Sequence, residues 1–482
     1  MISIARSTLS TFRALVRKAG LHKRTAGYTP GVTLVSDGEG CRIRCASPQV
    51  AIQFHQPGSF VAGVHRLPLE AFDAVEGKDR DTVTIEGDGK QRTLVSWADR
   101  GVPRQTGFDA PKPTPFPELP TEFTSNEPSL WSALRDAVPV TDRESTRYAL
   151  GCLHLRGKLE RIDATDGKHV LTQAGFRFPW TDDVLLPANG VLGCRALDLN
   201  QPIEVGCAGD WIGFRIGPWL VMLVMQKEGR FPKIDDVIPK PEVATSRLEL
   251  SADDATFLGD VLPRLPCDDP QFKPITLDLN GRVLLRAREE GRAQPTQVEL
   301  SGSRQEGPAI TINSNRHYLA HALRLGFRTL HCYGPELPVL CADERRRFLW
   351  CVLDAKSAIP RHDDSVRITP PAGERQPVNR IKHVVPQSDP DSQEEALMPA
   401  TTHQPVAASA TVATPNDAKP VKRSRSRPSA SMIEQAVALR DTLRAVSRQA
   451  GELARSLKQQ KRQAKIVATT LASLKELQKV AG

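Results

Sequence analysis

Three times along the chain a strand-like run passes into a short helix: FVAGVHRLPLEAFDAV from Phe60, VLLPANGVLGCRALDL from Val184 and AITINSNRHYLAHALRLGF from Ala309. Pro68, Pro187 and Asn313 mark matching points, 119 and 126 residues apart. Such a repeat constrains the fold more than any single motif, because every copy must be the same supersecondary unit. Each copy is followed by a hairpin pattern: DTVTIEGDGKQRTLVSW, IEVGCAGDWIGFRIGPWLVMLV and TLHCYGPELPVLCADERRRFLWCVL, with Asp88-Gly89 in the first a strong tight-turn signal. Each is preceded by an amphipathic helix: STLSTFRALVRKAG, NEPSLWSALRDAVP and SADDATFLGDVLPRL. Leu9 and Leu130 are 121 residues apart, in step with the later markers. The chain is therefore read as an α+β protein of three repeated units, each with two helices on antiparallel sheets, spanning 1–124, 125–241 and 242–360.

Past the third unit the pattern changes. Residues 361–430 are rich in Pro, Ser, Thr, Ala and Gln, bury too little apolar surface to offset chain entropy, and are read as a disordered basic linker closing with KPVKRSRSRPSA. In 431–482, Ala436, Leu439, Leu443, Val446, Ala450, Leu453, Leu457, Ala464, Val467, Leu471 and Leu474 recur at three- and four-residue steps, broken only at Gln460. That spacing predicts a coiled coil, with a single amphipathic helix docked on the body as the other reading. Charge divides the same way: 45 of the 65 basic and 44 of the 56 acidic residues lie in 1–360, so almost all of the net +9 belongs to the last 122 residues. Overall basicity therefore does not by itself mark the body as a nucleic-acid binder.

No apolar run reaches the roughly 18–20 residues that a membrane helix needs. The first twenty residues read as an amphipathic helix instead of a secretory signal. Nine cysteines, an odd number without a C-x-x-C pair, are expected as reduced, mostly buried thiols in a cytoplasmic protein. No Walker loop, G-x-G-x-x-G or G-x-S-x-G elbow occurs. His317 and His321 share a helix face at i, i+4, but HYLAH lacks the Glu of a metalloprotease helix and a third ligand. His331 and Cys332, neighbours on a strand, point to opposite faces and do not pair. No metal, cofactor or catalytic residue is assigned.

RYALGCLHLRGKLERIDATDGKHVL (from Arg147), followed by EGRFPKIDDVIPKP (from Glu228), resembles the second domain of the bacterial DNA polymerase III beta subunit, the sliding clamp, with its A-T-D-G-H-R-L strand end and later F-P-x-x-x-x-x-x-P. INSNRHYLAHALRLG resembles the family's third-domain helix, and GSFVAGVHRLPLEAFDAV its first-domain counterpart, so the resemblance covers about residues 1–358. Ala46-Ser47-Pro48-Gln49 stands where the family has a T-D-L-E-like strand. The resemblance implies a non-catalytic processivity factor, associated with the nucleoid: two chains close head to tail around duplex DNA and hold it through scattered, sequence-independent phosphate contacts.

Carried over by resemblance, Arg13, Arg17, Lys18, Lys23, Arg24, Arg135, Arg316 and Arg324 are the expected DNA-facing residues. A peptide pocket between the second and third units, for the DNA polymerase III catalytic subunit, the clamp loader and repair proteins, is expected from Leu150, Thr165, Gly167, Lys168, His169, Val170, Pro239, Pro338, Cys351 and Leu353. Lys168-His169 replaces the family's His-Arg, and Leu353-Asp354-Ala355 its Met-Pro-Met. The implied subunit interface involves the first unit and the segment near Leu262 to Cys267. Two further readings stand beside the clamp: an interaction scaffold working through its coiled coil and that segment's partner, without ring closure, and a DNA-processing enzyme with an unrecognised site.

Overall fold

The computed structural model describes residues 1–370 apart from 25–27, 29, 76–80, 88–91, 146–147, 198–199, 268, 270, 290 and 293. The Asp88-Gly89 turn, most of the linker and the heptad segment lie outside the described residues.

Five α-helices occur among the described residues: α1 (Arg6–Ala19), α2 (Glu70–Ala74), α3 (Ser129–Ala137), α4 (Ala252–Val261) and α5 (Arg316–Arg324). In α1, Leu9, Phe12, Leu15, Val16 and Ala19 form the buried stripe. Gly20 ends the helix at φ 80°, a left-handed conformation that a side chain disfavours, and its N–H reaches back to the Arg17 carbonyl. Ser251 caps α4 by accepting from Asp254 N at 3.1 Å, and Asn315 caps α5 by accepting from His317 N at 2.9 Å. Asn189 makes the matching cap in the second unit, but there it opens only the 3-10 turn Gly190–Gly193, where a second helix was expected. The reason is steric as well as local. A Cβ on Gly190 would stand 2.6 Å from the Lys18 carbonyl, so the end of α1 sits against this turn.

The strands among the described residues form four sheets. Two of them run across unit borders. Gly63–Pro68, Gly31–Ser36, Gly40–Ala46 and Val50–Pro57 continue into Trp219–Val224, Trp211–Ile216, Ile203–Ala208 and Phe123–Asn126. Asp183–Pro187, Cys152–Arg156, Arg161–Thr165 and His169–Ala174 continue into Arg346–Trp350, Val339–Ala342, Thr329–Cys332, Ser246–Glu249 and Arg304–Glu306. At the first border five antiparallel pairs run from Phe54↔Trp219 to Val50↔Leu223; at the second, five run from His169↔Trp350 to Gln173↔Arg346. Equivalent strands of the repeat thus make equivalent joints. Trp219 packs on Phe54 at 4.6 Å and on Phe12 at 6.3 Å between ring centroids, joining the first unit's helix to the second unit's last strand.

The other two sheets stop at the ends of the series. Ile2–Ala5, Thr82–Gly87, Arg92–Asp99 and Val102–Asp109 form one, with Val102–Asp109 at its edge. Pro103 is tolerated in that strand because an edge leaves one side of the ladder unused. The second holds Ile310–Asn315, Pro274–Leu279, Val283–Ala287 and Thr296–Glu299, and it ends with Val366–Ile368, a parallel strand from beyond the third unit.

The chain reaches that edge by crossing the sheet. Leu353 N donates to Asn313 O (2.7 Å) and Ile359 N to Thr276 Oγ1 (2.8 Å). Arg286 Nε donates to Ile359 O (2.8 Å), and Asp278 takes both Arg286 and Arg361 at 2.7 Å. All six residues of Pro274–Leu279 are buried, one face by the core and the other by this crossing segment. Residues 361–370, expected as the start of the linker, therefore belong to the third unit, because the sheet supplies partners that the segment's own composition lacks.

Candidate functional site

The second joint carries the sequence-predicted pocket residues. Thr165, at the end of its strand, donates to His169 O (2.8 Å) and accepts from Gly167 N (3.0 Å); Asp166 Oδ1 accepts from Lys168 N (2.7 Å) and His169 N (2.9 Å). Gly167 turns the corner at φ 84°. The Thr-Asp-Gly motif is thus a self-bonded turn that sets Gly167 beside Leu150, whose Cδ1 lies 3.9 Å from where a Cβ on Gly167 would stand.

Val170 follows the turn and enters a small apolar cluster with Phe231, Ile234, Leu340 and Leu349, flanked by half-buried Ile238, Tyr333 and Leu185. The Phe231-to-Pro239 segment is fixed by charge. Asp235 receives Arg156 and Arg161, each at 2.6 Å, while Phe231 stacks on His154 at 4.5 Å. Burial works against the Asp235 carboxylate, but the two guanidinium hydrogen bonds outweigh it and hold its pKa below the ordinary value. Asp163, fully buried under Arg161, is pushed by burial up to about 6 despite that partner.

Half-buried Pro239 continues this segment, and Tyr333 Oη donates to Lys240 O (2.9 Å). Pro338, half-buried, precedes the strand that supplies Leu340. Cys351 is exposed and its N–H donates to Lys168 O at 2.9 Å; Leu353 is half-buried at the start of the crossing segment. Lys168 is exposed on the turn. His169 does not join Val170. Neighbours on a strand face opposite ways, and its ring packs inward on Tyr318 (4.8 Å) and Phe348 (5.8 Å). The sequence expectation puts His169 and Val170 in one pocket, and it does not include Phe231, Ile234, Tyr333, Leu340 or Leu349, which pack around Val170. Phe231 and Ile234 lie inside the F-P segment, so the signal for them was present, whereas Leu340 and Leu349 are brought in only by strand pairing.

The basic residues fall into three groups. Lys18 and Lys23 are exposed, as is Arg324 on α5. Arg13 and Arg17 on α1 both reach Asp73, at 2.5 and 3.2 Å; Arg24 meets Glu70 at 3.2 Å, and half-buried Arg135 contacts Asp136. Arg316 departs from expectation. Its side chain is buried and its guanidinium donates to the carbonyls of Leu262, Leu265, Pro266 and Lys273, so it ties α5 to the end of α4 instead of facing DNA. Leu262 and Leu265, in the segment expected at a subunit interface, are core residues.

No group of three or more metal-binding side chains occurs among the described residues. Of the i, i+4 pair, His317 is exposed and His321 is buried against Phe348 at 5.0 Å. Burial, with Arg324 and His169 adding to it, lowers the His321 pKa to about 4. All nine cysteines are free thiols, six of them buried.

Two continuous inter-unit sheets built from equivalent strands of a threefold repeat define the sliding-clamp fold, and the solved structures agree. The chain is similar to the DNA polymerase sliding clamp from Bacillus subtilis (16% identity, TM-score 0.62), covering 73% of this chain and 98% of that one. It is similar to the beta subunit from the DNA polymerase of Streptococcus pyogenes (16%, TM-score 0.61) and to DNA polymerase III subunit beta from Pseudomonas aeruginosa (18%, TM-score 0.59), each covering 73% of this chain and 99% of the other. No family model matches the sequence, and no curated protein matches it. The chain has the fold of a bacterial polymerase clamp, strongly diverged in sequence.

Proposed function

We propose that the protein is a DNA clamp: two copies encircle duplex DNA and serve as a non-catalytic platform for polymerase III, its clamp loader or repair proteins. The observation that carries this reading is the pair of equivalent sheet joints. A repeat that joins first to second and second to third in the same way makes the unused equivalents, Thr296–Glu299 and Val102–Asp109, the positions at which a second copy would join. Exposed Lys18, Lys23 and Arg324, with Arg17 and Arg24 shared with carboxylates, supply sequence-independent phosphate contacts in this reading. Leu150, Gly167, Val170 and Pro239 at the second joint form the apolar cleft for a partner's peptide, with Lys168 at its rim. A role in the cytoplasm at the nucleoid follows from that activity.

The test is topological. Loaded on nicked circular duplex, the protein should stay bound at a salt concentration that strips it from the same DNA after linearisation. Equal loss from both forms would refute encirclement. One observation favours the second reading, a clamp-fold scaffold that does not close: the third unit's edge is already occupied by Val366–Ile368.

A further inference from the structure

In both internal joints the third strand after a unit's first helix pairs with the last strand of a following unit: Val50–Pro57 with Trp219–Val224, and His169–Ala174 with Arg346–Trp350. The matching strand of the third unit is Thr296–Glu299. The one last strand left over is Val102–Asp109, at the edge of its own sheet in the first unit. The repeat therefore assigns Thr296–Glu299 to the Val102–Asp109 strand of a second copy. In this chain the edge is taken by the chain itself, through Thr296↔Val366, Gln297↔Arg367 and Val298↔Ile368.

We infer that residues 362–368 are a displaceable strap that covers the ring-closing edge of the third unit, so that a second copy's Val102–Asp109 docks only where the strap has left. This rests on the ring reading above and adds a control to it. The strap is built to be the weaker occupant. It offers three parallel pairs, against five antiparallel pairs at each internal joint, and parallel pairing is slightly less stable per residue. Val366 is 57% exposed, so little apolar surface is lost when it lifts.

The root of the strap is firm by contrast. Ile359 is 1% exposed, and Arg361 is held by Asp278 at 2.7 Å. A turn follows, with Ser365 N donating to His362 O at 3.2 Å, and then the short strand. Movement is thus confined to the piece beyond Arg361, and the root keeps the strap close to its edge. Covering the edge also serves the single chain, since an open strand edge invites unspecific pairing. Residues 371–482 continue directly from the strap, so a ligand that engages them has a covalent lead to it.

Sedimentation equilibrium of the full chain tests the strap. Val366→Pro removes the N–H donated to Pro295 O (3.1 Å), and Ile368→Asp places a charge where Ile368 packs on the core. Each should strengthen self-association by about tenfold or more. Adding Gln105→Pro, which removes an N–H on the outward side of the first unit's edge strand, should cancel the gain. If the wild type self-associates and both strap variants do so with the same dissociation constant, the strap is overturned and the ring reading stands. If no variant self-associates up to about 100 µM, the ring reading falls and the strap with it.

Discussion

The border at Val50–Pro57 and the edge at Thr296–Glu299 occupy the same position in a repeated unit, yet they are closed in different ways. The first is sealed by five antiparallel pairs and backed by Phe12, Phe54 and Trp219. The second is covered by three parallel pairs with a half-buried Ile368 behind them. Backbone hydrogen bonds close both, so the larger difference lies in what stands behind the strand. A joint with an aromatic core is part of folding; a joint with one half-buried aliphatic side chain can exchange.

Trp219→Ala should break the sealed joint most severely. It removes an indole that touches both units and should cost about 3–5 kcal/mol in urea unfolding; a loss below ~1 kcal/mol would mean the two units are stable apart. Next in size is a pH effect at the second joint, where His321 packs on Phe348 beside His169. Because its folded pKa is lowered from 6.5 to about 4, the unfolded chain takes up a proton that the folded chain refuses as pH falls through that window. Stability should therefore drop by roughly 3 kcal/mol between pH 6.5 and 4, and His321→Gln should flatten that part of the profile. Smallest is the covered edge: Ile368→Ala should cost less than ~1 kcal/mol globally, while amide exchange at Thr296–Glu299 quickens. A large global loss there would make the strap part of the core and erase the contrast.

Much of this architecture is legible in the amino-acid sequence. The spacing of Pro68, Pro187 and Asn313 reports three copies of one wiring; the caps at Asn189 and Asn315, again 126 residues apart, show the same register in three dimensions. The Thr-Asp-Gly turn is legible because its hydrogen bonds are local to the motif, whereas the Phe231 segment is recognisable only as a motif and is held by the distant Arg156, Arg161 and His154. Errors arose where contact is non-local. Arg316 looks like any basic helix residue until the carbonyls of Leu262, Leu265 and Pro266 are found around it. The expected second helix of the middle unit shrinks to a turn because Lys18, from another unit, fills the space above Gly190. His169 separates from Val170 through strand alternation, a rule the sequence contains but a carried-over residue set ignores.

By itself the sequence carried the threefold repeat and the Thr-Asp-Gly turn at the second joint, since periodicity and turn chemistry act over a few residues and repeat with them. The tertiary structure alone decided which strands meet across the borders and that Val366–Ile368 pairs as a strand. DSVRITP has too little apolar content to declare itself as a strand; it becomes one because Thr296–Glu299 presents unpaired backbone groups at the place where Ile359 and Arg361 deliver it.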